Sequence, residues 1–126
     1  MAVAPNFAAT PKVGAATIST ADTSRTAPTN AATVFTAGSS GSRIDEINVV
    51  ATGTTTANVV RLFVHNGANF FLLQEVLIAA LTPSASSPVV TYTFTYNNLM
   101  LPSGWSLRAS TNNAESYVVT AFGGDF

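Results

Sequence analysis

The sequence contains no cysteine and few charged residues, and both absences limit the class of protein it encodes. Without cysteine, neither a disulfide framework nor a thiolate metal site can form. Charged residues make up 9% of the 126 residues, against about 25% in an ordinary soluble domain. Hydrophobic residues make up 47%, so the polar surface comes mainly from neutral Ser, Thr and Asn. This balance predicts one folded domain rather than a disordered chain.

Charge and hydrophobic runs also bear on partners. The formal net charge is -1, so there is no basic excess to neutralise nucleic-acid phosphates. The longest apolar run, residues 76–81, is far shorter than the roughly 20 residues of a membrane helix. The first residues lack the basic and apolar regions of a signal peptide. We expect no nucleic-acid or membrane partner and synthesis in the cytoplasm. The low charge favours a surface covered by another protein, because interface cores are depleted in charge.

Short stretches of alternating apolar and polar residues recur, separated by turn signals. In residues 88–96, Val90, Tyr92, Phe94 and Tyr96 alternate with Val and Thr. No segment has a sustained helical period with caps. The pattern predicts an all-β, antiparallel β-sandwich of about eight strands, jelly-roll-like in its connections.

Asparagine pairs mark the expected turns. Asn66-Gly67 predicts a tight hairpin, because both residue types tolerate positive φ; residues 97–98 and 112–113 predict two further turns, the second a hairpin. Residues 70–80 are apolar on both faces, which favours a central strand covered on both sides, or two short strands with a bulge.

The N-terminal quarter has a different composition. It is rich in Ala, Thr and Pro, and Pro5, Pro11 and Pro28 forbid a long helix. We predict an extended N-terminal arm over residues 1–31, with a possible short strand at 13–19, followed by a β-sandwich domain over residues 32–126. The arm is either a loose terminus or a segment that lies along a neighbouring molecule.

Few residues are candidates for a catalytic or metal-binding role. His65 is the single histidine, and the adjacent Asp45 and Glu46 point to opposite faces of a strand. Glu75 and Glu115 have no spacing that makes them converge, so the carboxylates are expected to pair with Arg43, Arg61 and Arg108 instead. We therefore expect no catalytic residue, no metal site and no cofactor. A small hydrolase using Glu75, Glu115 and His65 is a remote alternative.

The larger aromatic side chains are candidates for contact with a partner. The stripe from Val90 to Tyr96 is either an exposed sugar-stacking platform or the inward face of a sandwich, and the threonines opposite favour the inward face. Trp105 is a large anchor after a glycine turn. The candidate interface residues are Phe63, His65, Phe70, Tyr92, Tyr96, Trp105 and Phe126.

A set of short motifs runs from the end of the N-terminal quarter to the last residues. They are Ile-Ser-Thr-Ala at 18–21, Arg-Ile-Asp-Glu-Ile at 43–47, Thr-Thr-Thr-Ala at 54–57, Val-Arg-Leu-Phe-Val-His-Asn-Gly at 60–67, the segment 101–115 and Gly-Gly-Asp-Phe at 123–126. In these motifs the chain resembles, over residues 16–126, a family of short uncharacterised proteins encoded by tailed phages and prophages. The likeness implies a virion structural protein, a head decoration or cement protein without catalytic residues.

The resulting hypothesis is a passive capsid decoration protein. It would bind the outside of the head, with the major capsid protein and further copies of itself, as a trimer, as partners. The alternative is a carbohydrate-binding host-recognition module on a tail or fibre, which requires Tyr92 and Tyr96 to be exposed.

Overall fold

The computed structural model describes residues 9–126, and these residues form eight β-strands and no helix. Several strands, such as β3, β6 and β8, coincide with stretches in which apolar side chains alternate with polar or small ones, the period of a sheet with one buried face. The strands are β1 (Thr10–Ile18), β2 (Ala32–Thr36), β3 (Ser42–Ala51), β4 (Asn58–His65), β5 (Phe70–Ile78), β6 (Thr91–Leu101), β7 (Ser106–Thr111) and β8 (Tyr117–Asp125).

The strands form two antiparallel sheets of four. The order is β1-β8-β3-β6 in the first sheet and β2-β7-β4-β5 in the second. The pairs are nested around the β4–β5 hairpin, since β3 pairs with β6, β2 with β7 and β1 with β8. The predicted all-β antiparallel sandwich is confirmed, and the nested pairing is compatible with a jelly roll.

The core lies between the two sheets and uses every second residue of most strands. Ile47 and Val49 of β3 and Val119 of β8 face Val60 and Leu62 of β4, all at 1% exposure or less. Tyr92, Phe94 and Tyr96 of β6 are half-buried and pack against this core. The stripe at residues 90–96 is therefore the inward face of the sandwich, as the sequence favours.

The first strand belongs to the sandwich rather than to a separate arm. β1 pairs with β8 along its whole length, from Thr10 opposite Asp125 to Ile18 opposite Tyr117. The possible strand at 13–19 falls on it, and the sandwich begins by residue 10 rather than at 32. Gly14 allows a close approach of β1 to β2, because a Cβ at position 14 would lie 2.2 Å from the backbone oxygen of Val34. Residues 1–8 of the predicted arm lie outside the described residues.

The β1–β2 loop, residues 19–31, folds back onto the second sheet. The Asp22 carboxylate accepts hydrogen bonds from the backbone N–H groups of Ser24, Thr29 and Asn30, at 3.0, 2.8 and 2.9 Å. The backbone N–H of Asp22 donates to the carbonyl oxygen of Thr111 at 2.8 Å. Burial would raise the pKa of Asp22, but these backbone donors lower it overall. The loop is thus an internally braced segment laid against its own domain.

One strand prediction needs correction. Residues 70–78 form β5, which lies at the edge of its sheet and, among the described strands, pairs with β4 alone; Leu73 is the extra residue of a bulge opposite Leu62 and Phe63. The prediction of a central, doubly covered strand is wrong because exposed and buried apolar side chains look alike in a sequence. Phe71, Leu72 and Leu77 are 46%, 40% and 77% exposed.

Two of the three predicted asparagine turns also differ. Residues 97–98 lie inside β6, where a register shift between β3 and β6 accommodates them. Residues 112–113 carry the chain from β7 in the second sheet to β8 in the first, so they do not close a hairpin. Asn66-Gly67 does turn the β4–β5 hairpin. Gly67 alone there has positive φ, and Asn66 Oδ1 accepts from the N–H groups of Ala68 and Asn69.

Candidate interaction surfaces

Three of the predicted interface residues meet on the outer side of the second sheet. Val60, Leu62 and Val64 of β4 face the core, so Phe63 and His65 face outward. The Phe70 ring lies 5.7 Å from that of Phe63 and 4.4 Å from that of His65, and the Arg108 guanidinium lies 5.8 Å from Phe70. Phe63 is fully buried, so it supports this cluster from below rather than presenting surface.

His65 is held by the hairpin that follows it. Its Nδ1 accepts a hydrogen bond from the backbone N–H of Gly67 at 3.2 Å, and its side chain is buried. Burial, with a smaller effect from the positive charge of Arg108, lowers the pKa of His65 below its ordinary value. A neutral imidazole that already accepts a backbone hydrogen bond is well suited to fix the turn.

The other predicted interface residues are dispersed. Trp105 is half-buried and stacks on Phe71 at 6.1 Å, at the end of the sandwich. Tyr92 and Tyr96 face the core, and the Tyr96 hydroxyl donates to Gln74 of the opposite sheet. Phe126 is half-buried, and its backbone N–H donates to the carbonyl oxygen of Gly41. The seven residues therefore do not form one patch.

Most charged groups are occupied within the molecule. Arg43 pairs with Asp45 at 2.8 Å, and Arg61 pairs with Glu75 at 2.9 Å, which confirms two expected ion pairs. Arg25 of the β1–β2 loop binds the same Glu75 oxygen at 2.8 Å. Arg108 lacks the expected carboxylate among the described residues and donates to Ser106 Oγ instead. The result is a surface with very little unpaired charge.

Glu115 closes one end of the sandwich by gathering four donors. One carboxylate oxygen accepts from the backbone N–H and hydroxyl of Thr56, and the other accepts from Asn58 and the Tyr117 hydroxyl. Burial would raise the pKa of Glu115, but the hydrogen bonds outweigh it and lower the pKa below 4.5. This carboxylate therefore joins the two sheets, because it binds Asn58 of β4 and Tyr117 of β8.

We expect Glu115→Gln to weaken the dependence of the free energy of unfolding on pH in the acidic range. Because folding lowers the pKa of Glu115, its stabilising contribution is complete above the unfolded pKa of 4.5 and is lost as pH falls through the lower folded pKa. The variant should be less stable than wild type at pH 7, and the gap should narrow towards pH 3. Urea midpoints across this range test the expectation. Glu46→Gln is the control, and a gap independent of pH would contradict the assignment.

The outer side of the first sheet forms a second, open surface, here called the threonine face. It consists of three cross-strand rows that run over all four strands. Glu46 is the only charged side chain on these three rows, and the threonines of β6 on them are exposed; Arg43 and Asp45, which pair with each other, lie beside the rows on β3. At its β1 edge, Val13 is 60% exposed and Phe122 39%. The rows are Val13-Phe122-Glu46-Thr95, Ala15-Thr120-Asn48-Thr93 and Thr17-Val118-Val50-Thr91.

Sequence reasoning identified only part of this surface. The alternation of residues 88–96 marks the threonines of β6 as solvent-facing, and that is their position. The contribution of β1 was missed because its inward residues, Lys12, Gly14 and Ala16, do not give an apolar stripe. Cross-strand register, which aligns the four strands into rows, has no local signal in the sequence.

Comparison with known proteins does not add a family. No profile of a protein family matches the chain, and no curated protein matches it. Within residues 9–126, no group of three or more His, Asp or Glu side chains is arranged to hold a metal ion. The same residues form no helix that is long and apolar enough to cross a membrane.

Proposed function

We propose that this protein is a non-enzymatic structural component of a tailed-phage particle that decorates the outside of the head. The observation that carries the proposal is the threonine face, a broad sheet surface that spans four strands and bears one charged side chain. The likeness of residues 16–126 to short phage-encoded proteins supports the phage setting. The major capsid protein is the proposed partner, and the capsid surface is the proposed location.

The mechanism is passive bridging of neighbouring capsid subunits. A face made mainly of Thr, Val and Ala loses little on leaving water, because its hydroxyls can find new hydrogen-bond partners and its methyl groups gain from burial. Each apolar Å² buried contributes on the order of 25 cal/mol, and a stable contact buries about 800 Å² on each partner. Icosahedral symmetry repeats that gain at every copy.

The carbohydrate-binding alternative loses the feature on which it depended. It required an exposed aromatic platform around Tyr92 and Tyr96, and both side chains face the core. Tyr96 is further committed by its hydrogen bond to Gln74, and burial raises its pKa. We therefore propose no sugar site on this stripe.

The proposal is tested with purified virions of a phage that encodes the chain. We expect mass spectrometry to find the protein in the particles and cryo-electron microscopy to place it on the head. Thr93→Glu should reduce its occupancy on heads at least tenfold, because it puts a charge within the contact. Thr33→Glu, at an exposed strand threonine of the second sheet, is the matched control. Absence from virions, or a location restricted to the tail, would refute the proposal.

A further inference from the structure

The four edge strands of the sandwich are protected to different degrees. β1 carries Pro11 and Lys12, β2 has five residues and a register shift, and β6 presents threonines and is interrupted by its own register shift. Proline, lysine, short length and bulges are the features that keep edge strands from pairing with other chains. β5 has a bulge at Leu73, but its remaining residues carry no proline and no lysine.

β5 is also the most apolar of these edges. Six large hydrophobic side chains are exposed among residues 9–126, and β5 carries three of them: Phe71, Leu72 and Leu77. Its partner β4 occupies one side of the strand. On the other side, none of the strands that the structure describes pairs with the backbone N–H and C=O groups of β5. A surface that offers both an open hydrogen-bond ladder and apolar side chains is complementary to another β-strand.

The charges on β5 favour the β5 strand of a second copy of this protein as the partner strand. Glu75 is its one charged residue, and Arg25 and Arg61 of the same chain already neutralise it. Two copies of β5 can therefore approach around a two-fold axis without bringing unpaired carboxylates together. An antiparallel pair of identical strands is self-complementary, as a two-fold interface must be.

We propose that two copies of this protein pair antiparallel through β5 and join their second sheets into one continuous eight-stranded sheet. The dimer leaves the threonine face open on both copies, because that face belongs to the first sheet. Self-pairing and capsid binding therefore use different surfaces and are tested separately. The two-fold geometry replaces the trimer expected from the sequence.

Light scattering coupled to size-exclusion chromatography tests the proposal on the full chain. At about 100 μM we expect a mass of two chains, twice 13.0 kDa. Leu77→Lys should raise the dissociation constant at least 100-fold, because it places a charge on the paired edge. Val13→Lys is the matched control, since Val13 is a similarly exposed apolar residue on the edge strand β1, and it should remain dimeric.

Circular dichroism and urea midpoints will show that both lysine variants fold. A wild-type mass of one chain or of three chains overturns the proposal, and so does an unchanged dimer in Leu77→Lys. The outcome is separable from that of the proposed function. If the protein is a monomer that still decorates heads, only the β5 pairing is refuted. If it forms the β5 dimer but is absent from virions, only the decoration role is refuted.

Discussion

Replacing Arg61 with alanine is expected to lower the free energy of unfolding by about 2–4 kcal/mol. The Arg61 side chain is 3% exposed, and its Nε donates to Glu75 at 2.9 Å. Its Nη1 donates to the carbonyl oxygen of Asp22 at 3.3 Å and to Asn112 Oδ1 at 3.2 Å. One side chain thus joins β4 and β5 to the β1–β2 loop and the β7–β8 connection. The variant removes the donor to the Asp22 carbonyl oxygen and to Asn112 Oδ1, leaves Glu75 paired with Arg25 alone, and opens space under the loop.

Arg25→Ala is the matched control for this prediction. Arg25 binds the same Glu75 oxygen as Arg61, but its side chain is 57% exposed. Solvent screens such a pair, so its loss should cost about 0–1 kcal/mol. Urea unfolding followed by Trp105 fluorescence measures both variants. Hydrogen exchange in residues 19–31 should quicken in Arg61→Ala alone. Equal losses of stability in the two variants would show that Arg61 does not anchor the loop.

The strands whose residues alternate in polarity were predictable from the sequence. Segments such as 43–51 and 58–65 carry their period in the chain itself, and Asn66-Gly67 carries its own turn chemistry. The edge position of β5 was not predictable, because an apolar strand has the same composition whether a second layer covers it or not. The turn predicted at residues 97–98 failed because a long strand can absorb an asparagine pair as an irregularity.

The order of the β1–β2 loop was predictable from the sequence only in part. A Pro- and Thr-rich segment is typical of an extended arm, yet Asp22 and Ser24 organise it by accepting backbone N–H groups. Asp and Ser before such residues are local turn signals that do point to order. The ion pair between Arg25 and Glu75 has no such signal, since it joins residues fifty positions apart. Long-range pairing of this kind depends on the fold.

Asn58→Ala is the second substitution expected to have a large effect, with a loss of about 2–4 kcal/mol. Asn58 is 3% exposed at the start of β4. The two N–H groups of its amide face three acceptors: Thr111 Oγ1 at 2.9 Å, the Tyr117 hydroxyl at 3.0 Å and a Glu115 oxygen at 3.2 Å. Its Oδ1 accepts the backbone N–H of Asn113 at 2.9 Å. Asn98→Ala, at an exposed position in β6, is the control and should change stability by less than about 0.5 kcal/mol.

Asn58→Asp distinguishes this donor role from a loss of volume. The substitution keeps the shape of the side chain but turns its donor end, 3.2 Å from a Glu115 oxygen, into a second carboxylate. Two adjacent carboxylates raise the pKa of one of them. The penalty is therefore full at neutral pH and is relieved as pH falls through that raised pKa and a proton restores a donor. We expect the gap in urea midpoint between wild type and Asn58→Asp to be largest near pH 7 and to shrink on acidification, whereas the deficit of Asn58→Ala should persist. A pH-independent deficit in Asn58→Asp would mean that Asn58 stabilises the junction of the sheets by packing alone.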